Sequence, residues 1–160
     1  MSSEIPTTQR AAIVQPDKTV AVQTVPVTPP GPGEVLIKVA VAAQNPSDWK
    51  TIHWGMVKPG QGVGSDFAGR VVALGDGVHD VKLGERVAGW QVPAEGDLNA
   101  STAYREYTTI TSAPLIHIPN NVSDEEIFVS PGGQRVLTCY SNKYNPNARL
   151  RENQAASLSC

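Results

Sequence analysis

PGPGEVLIKVAVAAQNPSDWK, Pro30 to Lys50, decides the fold. It opens on a Pro-Gly turn, then places Val35, Ile37, Val39 and Val41 two residues apart on one face. Alternation over that length predicts a half-buried antiparallel strand rather than a helix. Asn45-Pro46-Ser47-Asp48 follows as a turn, and the Asp48 carboxylate is placed to cap a short helix through Trp49 and Lys50.

The same grammar continues on both sides. Upstream, RAAIV (Arg10 to Val14) is a short apolar run and KTVAVQTV (Lys18 to Val25) alternates with period two. Downstream, a loop carrying four glycines from Gly55 to Gly64 leads into FAGRVVAL (Phe67 to Leu74), which is closed by Gly75-Asp76-Gly77. RVAGW (Arg86 to Trp90), AYREYTTITS (Ala103 to Ser112) and LIHIP (Leu115 to Pro119) complete the series. Strands at this spacing, divided by Gly and Pro turns, predict a mainly β fold: a small, partly open barrel with short helices.

The end of the chain reads differently. Ser123-Asp124-Glu125-Glu126 is a capping box, which predicts a helix of two or more turns. Pro131-Gly132-Gly133 stops it almost at once. SNKYNPNARLRENQAASLSC, after that, has no apolar period. The expected organisation is a flexible segment 1–10, a barrel domain 11–127 and an irregular, disordered tail 128–160.

Composition bounds the function. Of 160 residues, 40% are hydrophobic and 18% charged, with a net charge of -2, which suits a globular chain. There is no Lys/Arg run, so nucleic acid is not an expected partner. MSSEIPTTQR has no apolar centre to serve as a secretory leader, and no stretch approaches a membrane span. A cytoplasmic protein with no membrane partner is expected. Cys139 and Cys160 fit free thiols in a reducing compartment.

Several chemistries find no support. A dinucleotide site needs a strand, then G-x-G-x-x-G/A, then a helix. Gly60-Gln61-Gly62-Val63-Gly64 precedes a strand, and Gly75-Asp76-Gly77 leads to Asp80 where a third Gly or Ala belongs. Both read as turns. There is no nucleophile elbow and no Cys beside a base. His53, His79 and His117 are scattered; a metal cluster of Asp48, His53 and Asp66 is weaker than their reading as ordinary loop residues. No catalytic residue is identified. Tyr104 and Trp54 are aromatic candidates for substrate contact, against packing roles.

Pro30 to Lys50, GSDFAGRVVALGDGV (Gly64 to Val78), LGERVAGW (Leu83 to Trp90), AYREYTTI (Ala103 to Ile110) and IPNNVSDEEI (Ile118 to Ile127) come in an order that resembles the medium-chain dehydrogenase/reductase superfamily. The resemblance is to its zinc-free branch of quinone oxidoreductases and fungal trans-acting enoyl reductases. It implies a GroES-like barrel, followed in complete members by a Rossmann domain that binds NADPH. It implies reduction of an activated double bond or quinone in secondary metabolism, with a small-molecule substrate and a polyketide synthase as partner. Zinc-dependent members place a Cys near Asn45 and a His near Ser65, so no metal is expected here. The resemblance also implies that Ser47, Asp48, Trp49 and Lys50 form part of the NADP-binding wall. The alternative for this turn is that Asp48 caps a helix and Trp49 packs into the core. From about Phe128 the chain departs from the family pattern, as a frameshift or altered splice would make it. The competing reading is therefore a catalytically inactive truncated barrel, acting as a binding module or having no function.

Overall fold

The computed structural model describes residues 4–91, 102–113, 115–128 and 140–141. Strands dominate. The first pair, β1 (Thr8–Val14) and β2 (Val20–Pro26), is an antiparallel hairpin. The main sheet holds β3 (Glu34–Ala43), β4 (Asp66–Leu74), β5 (Arg86–Trp90), β6 (Tyr107–Thr111) and β7 (Ile116–His117), in the order β6-β3-β4-β5-β7. A short strand β8 (Tyr140–Ser141) pairs with β3 at Val41 and Ala42. The one α-helix among the described residues, α1 (Pro46–His53), leaves the end of β3. Single bridges from Ala11 to Arg105 and from Ile13 to Gly62 tie the hairpin to the rest. The result is the mainly β, partly open barrel that the alternation predicts.

Strand β3 is the centre of the sheet, with β4 on one side and β6 on the other. Its burial is therefore deeper than a half-buried strand: Leu36 and Ala42 are buried along with Val35, Ile37, Val39 and Val41. The register against β4 shifts between Val39 and Val41. Such a bulge resets which side chains share a face. Ala42, not Val41, thus joins the core of Val35, Ile37, Val39, Phe67, Val71 and Val87. Phe67, Leu36 and Ile37 are among the largest fully buried side chains, and each burial stabilises by about 1.5–3 kcal/mol. At the crossing of β3 and β4, a Cβ on Gly69 would overlap the Lys38 carbonyl oxygen, so only glycine lets the two strands meet there.

Three segments carry detail that the sequence does not. Residues 8–10 are not part of a flexible 1–10 segment: they lie in β1, paired with Pro26, Val25 and Thr24. Val20 and Val22 of the alternating KTVAVQTV stretch, which forms β2, are 46% and 73% exposed; among the described residues β2 pairs with β1 alone. The capping box forms, with Ser123 N–H donating to Glu126 Oε2 at 2.8 Å and Glu126 N–H to Ser123 Oγ at 3.1 Å. Among the described residues it opens a 3-10 turn, Glu126–Phe128, and residues 129–139, where a helix would continue, lie outside them. The capped segment is held from the side: Val122 and Ile127 pack against Ala68, Ala88 and Ile118. Arg86 adds charged bonds to Asp124 Oδ1 at 2.7 and 2.9 Å and one to the Val122 carbonyl. Of the tail 128–160, only Phe128, Tyr140 and Ser141 are among the described residues; its expected disorder, and both cysteines, lie outside them. No helix among the described residues is long and apolar enough to cross a membrane.

Candidate functional site

Helix α1 starts as its sequence dictates. Asn45 is the N-cap and Pro46 is at the first helical position, where a missing N–H costs nothing. Asp48 is not the N-cap: it stands three residues in and reaches back, its Oδ2 accepting the Asn45 N–H at 2.7 Å. This is the acidic arm of a capping box, and it suits the positive end of the helix. Lys18 Nζ donates to the His53 carbonyl at 3.1 Å at the other end.

One face of this helix is buried. Ile52 packs with Val14, Val57 and Val63. Asp48 is buried too, and hydrogen bonds hold its carboxylate: besides the Asn45 N–H, Tyr104 OH donates to Oδ2 at 2.7 Å and Ser65 Oγ donates to Oδ1 at 3.3 Å. Beside it, Asn45 Nδ2 donates to Asp66 Oδ2 at 2.9 Å. Burial pushes the Asp66 carboxyl above its ordinary range; the Asn45 bond opposes this and the Asp48 charge adds to it. Burial also raises the Tyr104 hydroxyl well above its ordinary range, helped by its bond to Asp48 and the nearby negative charges.

The other face is open. Ser47 and Trp49 are exposed and Lys50 is partly so. Trp49 is 57% exposed, so it does not pack into the core. Its ring lies edge-on to His53 at 6.5 Å between centroids, and Lys50 Nζ stands 5.7 Å from the same ring. Trp54 and Met56, just past the helix, are also exposed. The four residues proposed from sequence therefore divide: Ser47, Trp49 and Lys50 are accessible, with Lys50 beside Trp49, and Asp48 is a buried anchor.

Tyr104 is half-buried and reaches Asp48 rather than open solvent, whereas Trp54 is 66% exposed. Asn45, Ser65 and Asp66 were not recognisable as partners of Asp48 and Tyr104. Together with Asp48 and Tyr104 they come from three segments, and only the N-cap pattern at Asn45 to Asp48 is local. Asn45 and Ser65 lie near the positions where the resemblance places a metal-binding Cys and His in zinc-dependent members. Here their polar groups donate to carboxylates. Among the described residues, no three His, Cys, Asp or Glu side chains converge as a metal site, and the proposed Asp48, His53 and Asp66 set is not brought together as one.

A six-member sheet and a hairpin closing on a capped helix, with a buried polar anchor at its root, define a GroES-like barrel. The chain belongs to the alcohol dehydrogenase GroES-like domain family, whose model matches residues 31–120. It is 34% identical over 141 residues to a trans-enoyl reductase of Gibberella fujikuroi, spanning 87% of this chain and 40% of that protein. A trans-enoyl reductase of Penicillium oxalicum is 33% identical over 147 residues, spanning 89% of this chain and 40% of its own length. The chain thus spans about two fifths of these relatives. Among solved structures, the quinone oxidoreductase from Coxiella burnetii matches with a TM-score of 0.59 and 26% identity, covering 73% of this chain and 38% of that one. Acetophenone reductase from Geotrichum candidum, in complex with NAD, matches with a TM-score of 0.66, covering 76% of this chain and 43% of that one. At 22% identity, that second match speaks for the fold alone.

Proposed function

We propose that this chain forms one wall of a zinc-independent, NADPH-dependent oxidoreductase site of the enoyl or quinone reductase type. The observation that carries it is the exposure along α1: Ser47 and Trp49 are exposed and Lys50 partly so, its Nζ 5.7 Å from the Trp49 ring, while buried Asp48 anchors the helix. The relatives named as trans-enoyl reductases support the reaction class. Bound NADPH supplies a hydride to an activated double bond. The chain's part is to bind and orient. The Ser47 hydroxyl can donate to a carbonyl or amide, the Lys50 ammonium offers a fixed positive charge, and the Trp49 ring keeps water from one side. Zinc-independence is supported by the donor set, since an amide and a hydroxyl already bound to carboxylates are poor zinc ligands. The reading extends to a small-molecule substrate, a polyketide synthase as partner and a place in cytoplasmic secondary metabolism.

The test distinguishes the ends of the cofactor. The chain labelled with nitrogen-15 is titrated to millimolar levels with reduced nicotinamide mononucleotide and, separately, with 2',5'-ADP. The proposal expects shifts at Ser47, Trp49 and Lys50 from the nicotinamide half alone. Shifts at those amides from the adenosine half alone would contradict it.

A further inference from the structure

The geometry points to Tyr104 as the positioning residue of this wall: its hydroxyl, bonded to buried Asp48, sets where α1 stands on the barrel. The inference rests on reading α1 as a cofactor-facing wall, and it adds what holds that wall in place.

The backbone of Tyr104 is fixed before its side chain acts. Its carbonyl accepts the Ala12 N–H of β1 at 2.9 Å, and its own N–H donates to the Val63 carbonyl at 3.1 Å. From there the ring packs against both the main core and the smaller cluster under α1. It crosses Gly64, where a Cβ would overlap the ring and where φ is +91. Glycine is required there on both counts. The hydroxyl ends 2.7 Å from Asp48 Oδ2 and 3.3 Å from the Ala43 carbonyl oxygen. Its single hydrogen goes to the nearer, charged acceptor. Tyr104 is thus a rigid strut from the barrel body to the first turn of α1.

The helix has two inward anchors, Asp48 and Ile52. Ile52 sits in an apolar cluster, which resists separation but not rotation or sliding. A short charged hydrogen bond is directional and fixes the rotation. Ser47 and Trp49 flank Asp48 in sequence, so a turn of the helix that moves Asp48 moves both. Ser65, at 3.3 Å, is the weaker hydroxyl donor to the same carboxylate.

The experiment compares the wild-type chain with Tyr104→Phe, which removes the hydroxyl and keeps the ring. Amide hydrogen exchange and nitrogen-15 spectra are recorded with and without millimolar NADPH. The expected result has three parts. Exchange at Trp49 to His53 rises roughly ten-fold, as loss of one bond to a buried charge implies. Exchange in the paired centre of β3 and β4 stays unchanged. NADPH-induced shifts at Ser47 and Lys50 shrink. A slowly exchanging, downfield hydroxyl proton, present in wild type and missing in the variant, is the spectroscopic mark of the bond. Should Tyr104→Phe fail to fold, Ser65→Ala gives a smaller rise at the same amides. Unchanged exchange across α1, or an equal rise throughout the sheet, overturns the inference. Wild-type spectra with no NADPH shift at Ser47, Trp49 or Lys50 overturn the cofactor reading instead, and exchange across α1 still decides the strut.

Discussion

At the residue scale, the informative group is a buried carboxylate that faces a phenol. Tyr104 has its hydroxyl raised above the ordinary value of 10.0. The folded chain therefore holds that proton more tightly than the unfolded chain does. Stability is fully present below the unfolded value and falls as pH rises above about 10, by up to roughly 1.4 kcal/mol per pH unit. Denaturant unfolding across pH 9 to 11 should show that fall in wild type, and Tyr104→Phe should flatten it. Asp66 gives a second check. The Asn45 bond lowers its carboxyl against the effect of burial. Asn45→Ala is expected to raise the Asp66 titration midpoint further, read by carbon-13 NMR of its carboxyl. A midpoint that falls would show the bond to be unimportant. None of these partnerships was legible in the sequence: residues 45, 48, 65, 66 and 104 meet only once the strands between them pair. What the sequence did carry was the turn at Asn45 to Asp48 that starts a helix, with the cap read at Asp48, three residues past the N-cap Asn45.

At the scale of elements, β3 and α1 show what local reading can and cannot do. The period-two run at Val35 to Val41 identifies a strand correctly, because alternation is a property of the chain itself. The bulge between Val39 and Val41 is a property of the pairing with β4, and the alternation carries no sign of it. The partners on both sides of β3 also decide that Leu36 is buried, which no single strand can announce. The capping box at Ser123 is local, as the alternation is, and it forms with a 3-10 turn at Glu126–Phe128. Helix α1 is short, so its stability comes from its anchors. Ile52→Ala should destabilise the chain by about 2–5 kcal/mol, the range for emptying a packed aliphatic site. Thermal unfolding measures it, and a change under about 0.5 kcal/mol would mean that α1 is not held by the apolar cluster.

At the scale of the whole molecule, the barrel was legible and the site only in outline. Strand spacing and turn residues indicated the architecture, and the matching family model confirms it over residues 31–120. The resemblance gave Ser47, Asp48, Trp49 and Lys50 a place on a cofactor wall; in the structure Ser47 and Trp49 are exposed, Lys50 is partly so and Asp48 turns inward. Such a surface has no run of backbone N–H groups at a Gly-rich helix start to grip a pyrophosphate. It is expected to add contacts to a cofactor without holding one tightly. The central claim is that the α1 face is a weak, local cofactor wall. A nitrogen-15 NMR titration of the chain with NADPH tests it most directly. The expected dissociation constant is near or above about 1 mM, equivalent to roughly -4 kcal/mol, with the shifts centred on Ser47, Trp49 and Lys50. Micromolar binding, or shifts centred away from α1, would contradict it.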